Sequence, residues 1–303
     1  MTSSTVVPLA VISPVRDEAR YVRKTLDAMI AQTSRPMEWL FVDDGSTDDT
    51  RAIIEAYVTE NPWIRVVGLE DRGFRQLGSG VVAAFDFGRS MLERQEYEYI
   101  AKLDGDMSFP PRYLEVMLDK LQSDPKLAAV SGKVFRPENG GFVEEYIMDE
   151  MVAGQFKLYK RRPFDDIGGF TRTILWDGID IHRCRMKGYK TLSFHDPEAR
   201  LIHHRLMGSS DSNVFKGRVR LGRGIWFMGY HPLYAVASGF FRMHERPYVV
   251  GGLIIILSYV YAAIRREPRF DDRQFIRELQ RWQLSQLRKL PGRLVHKQVK
   301  ESP

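Results

Sequence analysis

Two acidic residues one position apart, Asp104 and Asp106, are the first feature of the sequence that could do chemistry. They follow an apolar stretch, and Gly105 lets the backbone turn tightly between them. Two carboxylates this close repel each other unless a cation lies between them, and Mg²⁺ or Mn²⁺ would supply one because both take oxygen ligands. The pattern predicts a metal site, and the alternative is a solvated Asp-Gly turn.

Strand and helix patterns alternate through the first half of the chain. Continuous apolar runs predict strands, and apolar residues at helical spacing predict helices. The predicted strands are 8–15, 38–42, 64–70, one arriving from Tyr97 and ending near Leu103, and 127–135. The predicted helices are 18–32, one through IIEAYV, 78–92 and 111–125, and a short helix is predicted further along within IDIHRCRMKGYK. This alternation predicts an α/β fold with a mostly parallel sheet and helices on both faces.

Four acids lie at the carboxyl ends of predicted strands, namely Asp43, Asp44, Asp104 and Asp106. In open parallel sheets, ligands bind at the carboxyl ends of the strands. Because these ends meet at one edge of the sheet, we expect the four carboxylates to lie close together. Their convergence favours a metal and nucleotide site over a solvated turn.

Composition limits the other possibilities. The 303 residues suffice for one large domain with an appendage, and a single cysteine, Cys184, excludes an internal disulfide and fits a reducing compartment. The first residues lack the basic region of a signal peptide, so we expect no cleaved leader. No recognised nucleic-acid motif is present, and we expect no nucleic-acid partner.

The C-terminal region combines an apolar run with a basic tail. Residues 249–264 carry no charge, and residues 265–300 are strongly basic within a chain of net charge +6. The run is shorter than the roughly 20 residues of a spanning helix. It predicts either an interfacial helix on an anionic membrane or a plain core helix. Nearby aromatic residues suit both readings: Trp226, Phe227, Tyr230, Tyr234, Phe240 and Phe241.

Five motifs in order resemble the family-2 glycosyltransferases. They are SPVRDEA, FVDDGSTDDT, LDGDMSF, DIGGF and WDGIDIHRCRMKGYKT, spread over about residues 8 to 205. The resemblance implies the Rossmann-like GT-A fold and inverting transfer from a nucleotide sugar. It implies that Pro14 and Glu18 line the nucleotide, that Asp44 hydrogen-bonds the base, and that Asp106 binds the cation. Asp104 would lie near the ribose and the metal.

The resemblance leaves the base and the third metal ligand open. It implies that Asp177 is the catalytic base, but Trp176 stands where the family usually has Glu or a small residue, and Asp180 remains a rival. One of His203 and His204 could be the third metal ligand, or both could be strand-end residues without that role.

The acceptor region implied by the resemblance is Gly169, Phe170 and Trp176, although Trp176 could equally be a core residue. The family's usual basic residue is missing from the glycine-rich helix start GSGVVAAFDFG. We expect Arg72 or Arg75 to substitute for it.

These observations predict a catalytic domain at 1–207 and an aromatic, basic region at 208–303. The predicted function is metal-dependent inverting transfer of a sugar, with UDP the expected nucleotide, to a lipid-linked or cell-envelope glycan. The predicted location is the cytoplasmic face of a membrane, held peripherally. The alternative is an inactive protein that binds nucleotide sugars or acts as a membrane scaffold.

Overall fold

Buried apolar stretches form two sheets in the computed structural model, which describes residues 4–74, 78–138, 140–205, 214–245 and 247–299. The chain separates into two compact units, Met1–Leu206 and Met207–Pro303. The strands are β1 (Thr5–Val15), β2 (Ser34–Asp43), β3 (Ile64–Gly68), β4 (Tyr99–Leu103), β5 (Met107–Ser108), β6 (Leu127–Gly132), β7 (Val134–Glu138), β8 (Gly141–Glu145), β9 (Phe156–Lys160), β10 (Lys190–Phe194) and β11 (Leu201–His203).

Helices connect these strands and make up the second unit. They are α1 (Val22–Ile30), α2 (Thr50–Glu60), α3 (Ser79–Ser90), α4 (Tyr113–Ser123), α5 (Arg161–Asp166), α6 (Trp176–Met186), α7 (Val214–Phe227), α8 (Pro232–Phe241), α9 (Val250–Ile264) and α10 (Arg273–Val299). Within the described ranges, no helix is long and apolar enough to cross a bilayer.

The larger sheet has seven strands in the order β10-β6-β9-β4-β1-β2-β3, and all its neighbours are parallel except those of β9. Successive residues of β1 enter different cores, Leu9 and Val11 on one face and Ala10 and Ile12 on the other. Both faces are covered, as expected for parallel strands that read as continuous apolar runs. The predicted mostly parallel α/β sheet is confirmed.

Two predicted elements differ from the structure. The predicted strand 127–135 is split at Lys133 into β6 and β7, which belong to different sheets. A Cβ on Gly132 would lie 1.5 Å from the carbonyl oxygen of Ala199, so the chain passes too close there for any side chain. The ammonium of Lys133 is buried beyond this point, 2.6 Å from Asp149. These local contacts end the first strand.

The helix expected within IDIHRCRMKGYK begins earlier, at Trp176. Asp177 therefore lies in the first turn of α6 and not on a preceding loop. Leu175, the residue before the helix, has a φ of 56°. This left-handed conformation turns the chain sharply into the helix.

Candidate active site

The carboxyl ends of β1, β2 and β4 lie side by side at one edge of the large sheet. Val15 is opposite Asp43 in the β1–β2 register, and the amide of Asp44 donates to the carbonyl of Val15 at 2.9 Å. Asp104 directly follows β4, which pairs with β1 on its other side. The parallel register thus brings the predicted acids to one edge.

The two loops that follow β1 and β2 are bonded to each other. The amide of Thr47 donates to the Asp17 carboxylate at 2.8 Å, and the amide of Asp17 donates to the Ser46 hydroxyl at 3.1 Å. The amide of Glu18 donates to the Thr50 hydroxyl at 2.7 Å. Asp17 has a φ of 53°, a conformation that Asp adopts more readily than most residues. Pro14 lies just before, opposite Val42 in the sheet.

Asp44 is buried beside two arginines. Arg72 donates to its Oδ2, and Arg16 donates to its carbonyl oxygen at 2.6 Å. Burial raises the pKa of Asp44 above its ordinary value, and the charges of Arg72 and Arg16 act in the opposite direction. Its Oδ1 is buried without a hydrogen-bond partner among the described residues. A buried acceptor of this kind suits an N–H donor from a ligand. Arg75 lies outside the described residues.

Asp106 lies between a histidine and an arginine. His203 Nε2 is 3.5 Å from Asp106 Oδ2, Arg205 Nε is 3.3 Å from the same oxygen, and Arg205 also pairs with the buried Glu18. Burial acts to raise the pKa of Asp106, but the hydrogen bond and charge of His203, then the charge of Arg205, hold it below its ordinary value. Asp106 Oδ1 is buried without a partner in the described part of the chain.

Glu145 of β8 positions His203. Both carboxylate oxygens of Glu145 lie 3.3 Å from His203 Nδ1. Burial acts to lower the pKa of His203, but bonds to Asp106 and Glu145 outweigh it and raise the pKa to about 10. His204 faces other partners, with Ser108 at 2.8 Å and Lys24 at 3.4 Å from its ring nitrogens. Of the two predicted histidines, His203 is therefore the one whose imidazole contacts the Asp106 carboxylate, whereas His204 contacts Asp106 through its backbone amide.

Asp104 is paired with Lys102. The buried Lys102 ammonium contacts Asp104 Oδ1 and donates to the carbonyl of Gly154 at 2.8 Å. Desolvation raises the pKa of Asp104, and the charge of Lys102 acts in the opposite direction. This pairing neutralises one of the two neighbouring acids and reduces their mutual repulsion.

The site suits a divalent cation that takes only a few of its ligands from the protein. Asp106 Oδ1 is a buried oxygen to which no described residue donates, and the Asp106 carboxylate and the His203 imidazole already face each other. No cluster of three or more acidic, histidine or cysteine side chains suited to a metal occurs among the described residues. Such a site matches a cation that keeps water and phosphate oxygens as its other ligands.

The two candidate bases on α6 have different environments. Asp180 is fully buried, and its Oδ2 accepts bonds from Lys157 at 2.6 Å and from Tyr159 at 2.7 Å. Burial raises the pKa of Asp180, and the charge of Lys157 opposes this effect. Asp177 lies one turn earlier and is partly exposed, with its carboxylate next to the bare Cα of Gly154.

The aromatic residues of the predicted acceptor region belong to the core. Phe170 and Trp176 are 6% and 7% exposed, and their rings meet edge to face with centroids 4.7 Å apart. The ammonium of Lys157 lies 5.3 Å from the Trp176 ring. Gly169 is buried and has a φ of 71°. These contacts account for both aromatic side chains without an acceptor.

Three residues of the site were not identified from the sequence. Arg205, Glu145 and Lys102 each contact a predicted site residue, yet none belongs to a motif considered above. Arg205 directly follows the two histidines, and this adjacency was the available signal. Glu145 is brought to His203 only by the pairing of the small sheet, β5-β11-β7-β8.

Residues 10–177 match the family described as Glycosyl transferase family 2. The chain belongs to this family. The matched segment covers more than half of the chain and includes each acid discussed above except Asp180. The predicted family and the predicted transferase class are confirmed.

Curated relatives agree with this assignment. Glycosyltransferase AglE of Haloferax volcanii is 30% identical over 252 residues, covering 75% of this chain and 76% of the relative. The chondroitin synthase of Escherichia coli is 25% identical over 180 residues, which are 55% of this chain and 25% of the synthase. The matched segment thus spans a quarter or less of the length of the chondroitin and hyaluronan synthases that this chain resembles.

Solved structures show the fold. The mannosyltransferase PcManGT from Pyrobaculum calidifontis, in complex with GDP-Man and Mn²⁺, is similar with a TM-score of 0.52 and 16% identity, over 89% of this chain and 80% of that one. Staphylococcus aureus TarS 1-349, in complex with UDP, gives 0.51 and 13% identity over 85% and 72%. At these identities the likeness supports a GT-A-like fold.

Proposed function

We propose that the protein transfers a sugar from a nucleoside-diphosphate sugar to a hydroxyl acceptor. The reaction is metal-dependent and inverts the configuration at the anomeric carbon of the sugar. The observation that carries this proposal is Asp106, whose buried Oδ1 has no partner among the described residues while His203 and Arg205 contact its other oxygen. Asp106, together with His203 once its imidazolium has released a proton, would hold Mg²⁺ or Mn²⁺, which would stabilise negative charge on the departing diphosphate.

The other acids have separate roles in this proposal. Asp44 Oδ1 accepts an N–H of the base, and Asp104 lies near the ribose and the metal. Asp177 accepts the proton of the acceptor hydroxyl as it attacks the sugar. The burial of Asp180 and its bonds to Lys157 and Tyr159 favour Asp177 over Asp180 for this role. A single base without a protein nucleophile gives one displacement, and therefore inversion.

UDP is the proposed nucleotide, and a cell-envelope or lipid-linked glycan is the proposed acceptor. The similar TarS structure is in complex with UDP, whereas the similar mannosyltransferase is in complex with GDP-Man. Relatives named chondroitin synthase and poly-beta-1,6-N-acetyl-D-glucosamine synthase support a glycan product. The chain spans 25% and 52% of the length of these two relatives.

A donor screen by thermal shift tests the proposal. UDP, GDP, UDP-sugars and GDP-sugars are added with Mn²⁺, with Mg²⁺ or with a chelator. A nucleotide at 100 times its Kd should stabilise the protein by about 2.7 kcal/mol. Stabilisation by UDP that requires the metal, followed by release of UDP from a UDP-sugar, supports the proposal. Binding without turnover on any acceptor supports the alternative of an inactive binding protein, and no nucleotide binding overturns both.

A further inference from the structure

One face of α9 carries an apolar stripe that runs the length of the helix. Its members are spaced three or four residues apart, except for the adjacent pair Val260 and Tyr261, and this spacing places them on one side of an α-helix. Between 43% and 75% of each side chain is exposed: Val250, Leu253, Leu257, Val260, Tyr261 and Ile264. The helix has 15 residues, so the apolar stripe is about 22 Å long.

The opposite face of α9 is already packed within the C-terminal unit. Gly252, Ile255, Tyr259 and Ala262 are buried on that face. A Cβ on Gly222 of α7 would lie 2.5 Å from the carbonyl oxygen of Ile255, so the two helices are in close contact. Helix α9 therefore packs into this unit through the face opposite the apolar stripe.

Further exposed apolar side chains lie at the end of α8 and in the connection from α8 to α9. Phe240 and Phe241 at the end of α8 are each 58% exposed, and Tyr248 and Val249 before α9 are 61% and 53% exposed. The amide of Val249 donates to the carbonyl of Met243 at 2.9 Å, which holds this connection in place. Exposed apolar surface of this extent marks a binding surface on a monomer.

The charge around the apolar stripe is positive. Arg265 and Arg266 are exposed directly after its last residue. The neighbouring acids are neutralised inside the unit, because Glu245 pairs with Arg218 at 2.7 Å and Glu267 pairs with Arg223 at 2.8 Å.

The excess of positive charge extends over the whole C-terminal segment. Residues 207–303 contain 17 Lys and Arg against 7 Asp and Glu, a net charge of +10, whereas residues 1–206 contain 28 against 32, a net charge of −4. The positive charge of the chain is thus concentrated on the segment that carries the apolar stripe.

We propose that the apolar stripe is a docking surface for an anionic lipid bilayer, with α9 lying in the plane of the interface. A helix that is apolar on one side and flanked by arginines binds a bilayer through apolar burial and attraction to anionic headgroups. A second copy fits less well, because two C-terminal segments of charge +10 repel each other. Anionic lipid is enriched in the cytoplasmic leaflet, so the proposed location is the cytoplasmic face of the membrane.

Vesicle flotation of the full-length protein tests this proposal. Leu257→Glu with Ile264→Glu should lower the partition coefficient on phosphatidylglycerol-containing vesicles about a hundredfold, since two aliphatic side chains no longer enter the lipid. The matched control is Ile30→Glu with Met91→Glu, which changes the same charge at apolar positions 38% and 40% exposed in the N-terminal unit. The control should bind as the unchanged protein does. Equal melting temperatures show that both variants are folded.

A second variant separates charge from apolar contact. Arg265→Gln with Arg266→Gln should weaken binding to anionic vesicles by about fivefold per arginine while binding to neutral phosphatidylcholine stays unchanged. The proposal is overturned if the full-length protein does not float with anionic vesicles, or if the Leu257 and Ile264 variant still does. It is also overturned if the unchanged protein is a dimer that this variant dissociates. These outcomes leave the proposed sugar transfer untouched, because flotation requires neither nucleotide nor metal.

Discussion

Asp106 and Glu18 are buried acids that share one cation, the guanidinium of Arg205. Removing one partner of a buried ion pair leaves the other charge uncompensated. The free energy lost in this way is larger than the net stabilisation that the intact pair provides. The guanidinium of Arg205 therefore balances negative charge on both acids, a role that no motif in the sequence indicated.

Asp106→Asn is expected to abolish metal-dependent nucleotide binding, because an amide oxygen is a neutral and weaker ligand for a hard cation. The measurement is calorimetric titration of UDP with and without Mn²⁺. Asp119→Asn, an exposed acid on α4, is the matched control and should bind as the unchanged protein does. Unchanged affinity in the Asp106 variant would remove this residue from the proposed metal site.

Asp177→Asn is expected to leave UDP affinity nearly unchanged and to lower sugar transfer by about 10²–10⁴-fold, the usual contribution of a positioned general base. The measurement is the turnover rate at saturating donor, with affinity measured separately. A variant that transfers sugar at the normal rate would show that another group accepts the proton.

Asp180→Asn is expected to act on stability, because it leaves the fully buried Lys157 ammonium without its counter-charge. The expected loss is about 3 kcal/mol in the free energy of unfolding, measured by urea denaturation. A variant of normal stability and strongly reduced turnover would reverse the roles proposed for Asp177 and Asp180.

At the scale of elements, Asp48 joins the loop after β1 to the start of α2. Its carboxylate accepts bonds from the amide of Ala19 at 3.0 Å and the amide of Thr50 at 3.0 Å. Partial burial acts to raise the pKa of Asp48, but the bonds from Thr50 and then Ala19 hold it below its ordinary value. The ionised form therefore stabilises the two loops that lie at the proposed nucleotide site.

Asp48→Asn is expected to lower the melting temperature at pH 7 and to cost progressively less below about pH 4. The sign follows from linkage: a lowered native pKa contributes stability above the unfolded pKa and loses it as the pH falls through the native value. Melting curves of both proteins between pH 7 and pH 3 measure the difference. A difference that stays constant over this range would contradict the role of the ionised carboxylate.

At the scale of the whole molecule, the single cysteine reports on the core of the N-terminal unit. Cys184 is fully buried on α6, and burial raises the pKa of its thiol to about 12. The thiolate is the reactive form, so the folded protein presents neither an accessible nor an ionised sulfur.

The thiol of Cys184 is therefore expected to react with a disulfide reagent at pH 8 only after opening of the fold, and within seconds in denaturant. Labelling rates over a range of urea concentrations measure this opening. Rapid labelling of the native protein would contradict the buried position of α6.

The sequence by itself determined the alternation of strands and helices and the place of the acids. Continuous apolar runs form strands, Asp and Gly end them, and parallel pairing gathers the ends of β1, β2 and β4 at one edge. Asp44 and Asp104 were found in this way because they directly follow β2 and β4, and Asp106 lies two residues beyond Asp104. Such information is local, and it is therefore readable from the order of residues.

Only the tertiary structure decided which side chains meet at that edge. β9 enters the sheet antiparallel between β4 and β6, where its Lys157 meets Asp180 in the core. The small sheet brings Glu145 and His203, which are 58 residues apart in sequence, to the same place. Strand order and pairing set these contacts. Neither follows from apolar periodicity, because a strand with a given pattern of buried and exposed residues can pair with several different neighbouring strands.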